Sequence, residues 1–257
     1  MFNKIEEFLL RYIPKFYLSL TRAQDSNDRF MFGSDFIKKN KKNNNIDILD
    51  VGCGGGNFFG YINSTVKNSK YVGLDFDYDK MKKNKFANFD NFKTFSYDLR
   101  DNWYFDKYDF VWSSEVIEHL FDDKSFFEKL VRSTKKDGYI LITTPYYTSY
   151  INYAKKFGWS LEPSKEEVVG HVRLGYDEKD LENLANLNNL KLENIYYISE
   201  CNNFRAKNIS RMNNGLFCYF FNILCLLKIF RFKKYIRRDE KINNKDYFSI
   251  AAVYKKN

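Results

Sequence analysis

Three groups of residues in this chain could do chemistry by type and spacing. The first is bare backbone: DVGCGGGNFFG, residues 50–60, holds five glycines between an apolar run and a segment with helical spacing. A glycine-rich turn after a strand lets backbone N–H groups approach a ligand that any Cβ would push away. The second is a pair of acids that close apolar runs, Asp75 in YVGLDFD and Asp98 in FSYDLR. A carboxylate at the first position can accept both hydroxyls of a ribose, and Asp77 takes that role if the strand runs longer. The third is SSEVIEHL, where Glu115, Glu118 and His119 stand at i, i+3 and i+4. On a helix these share one face, and with His171, the chain's other histidine, they could hold a divalent ion that binds a substrate hydroxyl and lowers its pKa. Without an ion, His119 or His171 is the general base.

For these groups to meet, the chain must bring several strand ends together. Apolar runs at 46–51, 70–76, 92–98, 108–114 and 138–145 alternate with segments long enough for helices, expected from about Asn57, Asp79 and Glu115. That alternation predicts βαβ units and a largely parallel sheet buried on both faces. A capped amphipathic helix is expected in DEKDLENLANLNN, followed by two late strands, LKLENIYYIS and DYFSIAAVYKK. Residues 1–45 read as a helical cap, with Ile5, Phe8, Leu9 and Tyr12 on one face, and a polar connector, KKNKKNNN. Residues 46–257 form the main domain, interrupted at 200–245 by an insertion too long for a turn.

The glycine loop alone leaves the ligand open. A Walker loop is excluded because no Gly-Lys-Ser/Thr follows, while a dinucleotide fingerprint competes but has Asn57 where its third glycine belongs. The order ILDVGCGGGNF, YVGLDFD, SYDLRDNWYFDKYDFVWSSEVIEHL and GYILITTPYY resembles the successive motifs of class I S-adenosylmethionine-dependent methyltransferases over residues 46–199. The resemblance implies an α/β, doubly wound, mostly parallel seven-stranded sheet, the Rossmann-like methyltransferase fold, with an antiparallel last strand. It implies S-adenosylmethionine as cofactor. Asp50 would accept from the loop N–H groups or the cofactor ammonium, Gly52, Gly54 and Gly56 would pack under the methionine and ribose, and Asp75 would hold the ribose. Asp98, with Leu99 beside it, would meet the adenine amino group, and Cys53, Phe76 and Ser114 complete the cofactor set.

The Glu-x-x-Glu-His segment is similar to that of ubiquinone-pathway O-methyltransferases and of small-RNA 2′-O-methyltransferases. There it can serve a metal, so magnesium or a similar ion on Glu115, Glu118, His119 and His171 is one expectation. Tyr146, Tyr147 and Trp159 are candidates for the acceptor pocket by position. GHVRLGYDEKDLENL is similar to the closing segment of small-molecule and glycan-pathway enzymes, which favours a small-molecule, sugar or lipid-linked acceptor methylated at oxygen. RNA is the alternative acceptor, favoured by a net charge of +9 and weakened because His171 stands without the paired histidine of the RNA enzymes. A cofactor-binding subunit without catalysis is the third reading.

The segment GLFCYFFNILCLLKIFRFKKYIRRDEK is interrupted by Asn222, Lys228 and Arg231, which argues against a spanning helix. Its apolar stretch beside Lys233, Lys234, Arg237 and Arg238 suits an anionic membrane surface, or equally a lid helix or dimer contact. Four cysteines without metal spacing and no export signal in the first twenty residues lead to a cytoplasmic expectation, with peripheral attachment to the inner face of the membrane.

Overall fold

The computed structural model describes residues 8–9, 12–13, 16–17, 24–41, 45–63, 70–82, 84–103, 107–158, 160–167, 170–201, 234–240 and 246–257. Ile5, Trp159, Lys233 and the apolar stretch 215–232 lie outside them. The elements are helix α1 (Gln24–Asn40), β1 (Ile48–Val51), α2 (Asn57–Ile62), β2 (Tyr71–Asp75), α3 (Tyr78–Lys82), β3 (Phe92–Ser96) and β4 (Tyr108–Ser114). A 3-10 turn at Ile117–His119 leads to α4 (Asp123–Arg132), β5 (Thr134–Pro145), α5 (Tyr147–Phe157), α6 (Glu178–Leu187), β6 (Lys191–Cys201), β7 (Tyr235–Arg237) and β8 (Asp246–Lys255).

The strands form one sheet in the order β3-β2-β1-β4-β5-β8-β6-β7. Strands β1 to β5 pair in parallel, whereas β8 runs antiparallel to both β5 and β6. The Rossmann-like fold class therefore holds, with an antiparallel last strand. Among the described residues the sheet has eight strands rather than seven, because Tyr235–Arg237 adds a short edge antiparallel to β6. Three residues inside a basic run carry too little alternation to read as a strand. Arg237 thus belongs to a sheet edge, Lys234 stands just before it, and Arg238 pairs with Glu182 on α6.

Both faces of the sheet are covered, as near-continuous apolar strands require. In β1, Leu49 and Val51 join one core with Phe127 and Leu130 of α4, and Leu181 of α6. Ile48 points the other way, into a core with Phe58 and Phe59 of α2, and Phe32 and Ile37 of α1. Phe58 stacks on Trp112 of β4 at 4.5 Å between ring centroids. Helix α1 is thus built into the second core, although its last turn extends into the polar run read as a connector. Ahead of it, Phe8 and Tyr12 are exposed.

Two helix starts are fixed by carboxylates. Asp177 and Asp180 form a capping box at α6, as the sequence predicts. Asp122 caps α4 by accepting from the Ser125 N–H at 3.0 Å. The helix expected from Glu115 therefore begins only at Asp123. Glu115 keeps sheet contact through its N–H to the Thr143 carbonyl, then turns left-handed at φ 56°.

Candidate active site

The glycine loop follows β1, whose end is tied to β2: the N–H groups of Gly52 and Cys53 both donate to the Leu74 carbonyl, at 2.8 and 3.0 Å. Two glycines in it serve different purposes. Gly52 adopts φ +82°, and a Cβ there would lie 2.2 Å from Val116 Cγ2. Gly56 adopts φ +69°, and its Cβ would meet Asn84 and Phe92 at 2.6 and 2.7 Å, so that glycine serves packing inside the protein.

A cavity of about 300 Å³ opens at the carboxyl ends of β1 to β4, where an open α/β sheet places its ligands. Gly52 forms one wall; Asp75, Phe76 and Lys80 form the β2 side and Asp98 and Leu99 the β3 side. Glu115, Val116, His119 and Leu120 close it from the turn after β4. Asp75 is buried and its carboxylate is held on both oxygens, Oδ2 by the Gly54 N–H at 2.7 Å and Oδ1 by the Asp77 N–H at 2.9 Å. Asp77 is not in the wall and pairs with Lys80 at 3.0 Å, since β2 ends at Asp75. Asp98 accepts from Arg100 Nε at 2.9 Å and Nη2 at 2.6 Å, and that guanidinium holds its carboxyl below the usual carboxylate range.

Several expected cofactor residues stand behind this wall. Asp50 is 2% exposed and accepts a hydrogen bond from the Tyr71 hydroxyl; the loop N–H expected for it goes to Asp75 instead. Burial pushes the Asp50 carboxyl up to about 7, against the Tyr71 bond that lowers it. Cys53 is buried, and its thiol is pushed well up by burial. Ser114 Oγ bonds Thr143 Oγ1 at 2.8 Å, and neither it nor Cys53, Gly54 or Gly56 lines the cavity. Tyr146 is buried and bonds Glu178, and Tyr147 is exposed; both are outside the wall.

The turn after β4 gives the two glutamates different partners. With Glu115 left-handed and only a 3-10 turn behind it, the three residues do not share a helix face. Glu115 Oε1 turns toward Thr143 and Ser249 hydroxyls, both at 3.3 Å, and toward Arg29 Nε of α1 at 3.7 Å. Glu118 is fully buried: Oε2 accepts from Thr144 at 3.1 Å, while Oε1 has no hydrogen-bond partner among the described residues and lies 4.0 Å from His119 Nε2. Burial, then the charge of Glu115, raises the Glu118 carboxyl well above its ordinary range. His119 Nδ1 meets the Gly170 carbonyl at 2.9 Å; a carbonyl only accepts, so Nδ1 carries a proton, and in the neutral ring Nε2 is the nitrogen with the lone pair. The His171 ring stands edge-on to His119 at 4.7 Å, and its pKa is lowered by burial and by His119.

Glu118, His119 and His171 each offer a ligand atom within 4.8 Å of the others. Glu115 is not in that group, which corrects the four-residue set expected from the sequence. Lys80 and Val116 in the wall, and Arg29 and Ser249 beside Glu115, are not marked by any motif. Their signals are tertiary, except that Lys80 sits one helical turn past Asp77.

A family model described as a methyltransferase domain matches residues 24–195. The 235L protein of Invertebrate iridescent virus 6, named as a methyltransferase, is 27% identical over 146 residues. That match covers 54% of each chain, so the present chain spans about half the length of the curated relative it matches. Among solved structures, the plantazolicin methyltransferase BpumL, in complex with a triazolic desmethylPZN analog and SAH, superposes at TM-score 0.58 with 16% identity, covering 96% of this chain and 90% of that one. Coclaurine N-methyltransferase bound to N-methylheliamine and SAH gives 0.57 at 14% identity, covering 90% and 73%. At these identities the likeness shows the fold. Among the described residues, no helix is long and apolar enough to cross a membrane.

Proposed function

We propose, since this chain belongs to the methyltransferase domain family, that it is an enzyme passing the methyl group of S-adenosylmethionine to an oxygen of a small-molecule, sugar or lipid-linked acceptor. The observation that carries this reading is one cavity walled by Gly52, Asp75, Asp98 and His119. The residues fit the cofactor: the wall at Gly52 has no side chain, and each Asp75 oxygen has one N–H bond and further acceptor capacity for a ribose hydroxyl. Asp98 would accept from the adenine amino group, with Phe76 and Leu99 as apolar neighbours of the base. The cofactor, when bound, supplies a methyl group already activated on a sulfonium.

What remains for the protein is alignment, exclusion of water and removal of one proton. His119 is suited to take the proton: with Nδ1–H on the Gly170 carbonyl, the neutral ring offers its Nε2 lone pair, and the ring lines the cavity. Glu115, anchored by Thr143 and Ser249, sets the floor beside it.

A second reading, a divalent ion on Glu118, His119 and His171, is favoured by the buried Glu118 Oε1, which has no hydrogen-bond partner among the described residues. An oxygen, two imidazole nitrogens and open positions suit such an ion, which would lower the pKa of an acceptor hydroxyl. Calorimetric titration with manganese and activity in EDTA separate the readings. Uptake lost in Glu118→Gln supports the ion, and activity undiminished by EDTA removes it.

The acceptor is tested by following labelled methyl groups into lipid, glycan and RNA fractions of the native cell. Label in a lipid or glycan fraction supports the proposal. Label confined to RNA overturns the acceptor assignment.

A further inference from the structure

Lys129 on α4 is only 6% exposed, yet its side chain reaches across to the turn after β3. Its Nζ donates to three consecutive carbonyls, Leu99 at 3.2 Å, Arg100 at 2.8 Å and Asp101 at 2.7 Å. An ammonium has three protons to give, and this turn takes all of them. The turn is closed on itself by the Asp101 N–H to the Asp98 carbonyl at 3.1 Å, and the Trp103 indole donates to Leu99 O at 3.3 Å. Asp98 and Leu99, the first residues of that turn, are the β3 side of the cavity.

A buried lysine is costly unless every proton finds an acceptor. Three carbonyls converging on one point are equally costly without a donor. Each side therefore needs the other, and the pair fixes the turn to the helix. On the outer side Arg100, itself in the clamped turn, grips the Asp98 carboxylate through Nε and Nη2 and reaches Glu167 Oε2 at 3.6 Å. The orientation of Asp98 is thus set through the turn by Lys129 and through the side chain by Arg100.

We infer that Lys129 is a positioning residue that sets base selectivity: by clamping the 99–101 carbonyls it holds Asp98 where a purine 6-amino group donates to it and a 6-oxo group is refused. The inference rests on the reading of the cavity as an S-adenosylmethionine site. A carboxylate aimed at position 6 attracts an amino group and repels a carbonyl oxygen, so selectivity depends on aim. A clamp that only stabilised the fold would leave that selectivity untouched.

The test is calorimetric titration of wild type, Lys129→Met and Lys129→Gln with S-adenosylhomocysteine and with its inosine analogue, alongside thermal melting. The wild type should prefer the adenine compound by at least about tenfold, the worth of one charged hydrogen bond. Lys129→Met should bring that ratio close to one, and Lys129→Gln, which returns a donor, should fall between. A wild-type ratio kept in a folded Lys129→Met overturns the proposal, as does a wild type that binds both compounds equally. If Lys129→Met does not fold, Lys129→Gln decides by the same ratio, and failure of both to fold makes Lys129 a residue of the fold alone and overturns the proposal. Absence of any binding to the wild type overturns the cofactor reading itself, a separate outcome.

Discussion

The Gly54 N–H donates to Asp75 Oδ2 at 2.7 Å, joining the glycine loop of one strand to the acid that ends the next. Asp75 thus orders the loop, and in the proposed reading it also receives the ribose. Asp75→Asn removes the charge from both. It should weaken binding of S-adenosylhomocysteine by roughly 10- to 100-fold, the equivalent of about 1.5–3 kcal/mol for a charged hydrogen bond. Titration calorimetry checks this, and affinity equal to wild type would place the ribose elsewhere.

Gly52 makes a sharper steric prediction. Alanine there must accept φ +82° and sit 2.2 Å from Val116 Cγ2. Gly52→Ala should lose cofactor binding and lower the melting temperature. The double variant Gly52→Ala/Val116→Ala removes the clash and leaves the backbone strain, of order 1–3 kcal/mol. It should recover part of the stability. No recovery would mean that Val116 is not the obstacle.

Asp50 gives a pH dependence with a definite sign. Its carboxyl rises from 3.8 to about 7 in the folded chain, so between those values the unfolded chain ionises first. Stability from this group is greatest below the unfolded value, falls as pH rises through the window, and is flat above it. The loss is bounded by about 4 kcal/mol. Asp50→Asn, which still accepts from Tyr71, should raise the urea midpoint near pH 8 and flatten its decline between about pH 4 and 7. A wild-type slope retained in the variant would contradict the assignment.

His119 carries the proton step in the metal-free reading. His119→Ala should lower kcat by roughly 10²- to 10⁴-fold, the usual worth of a general base. Binding of S-adenosylhomocysteine should change far less. A drop in cofactor affinity that accounts for the whole loss would make the residue part of the cofactor wall.

Much of this site can be read from the letters because it depends on strand ends. Apolar runs locate β1, β2 and β3, and Asp75 and Asp98 fall at or just beyond their last residues, so their meeting in one cavity follows from parallel order alone. Glu115, Glu118 and His119 show the limit: their spacing fits a helix, but a left-handed residue at 115 and a 3-10 turn give the two glutamates different hydrogen-bond partners. The true helix start was legible two residues past Leu120, where Asp122 caps Ser125. Asp50 matched its motif by position, yet whether it faces the loop or Tyr71 depends on the packing of β2 beside it. Lys129 and Arg29 were not legible at all, since nothing local distinguishes a lysine or arginine that will be buried from one that will be solvated.

The most direct test is titration calorimetry of the purified, folded chain with S-adenosylmethionine and S-adenosylhomocysteine, with nicotinamide and flavin nucleotides as controls. Saturable heat with the two sulfur compounds, lost in Gly52→Ala, is the predicted result. A folded wild type that is silent toward both and takes up a nicotinamide or flavin nucleotide would contradict it.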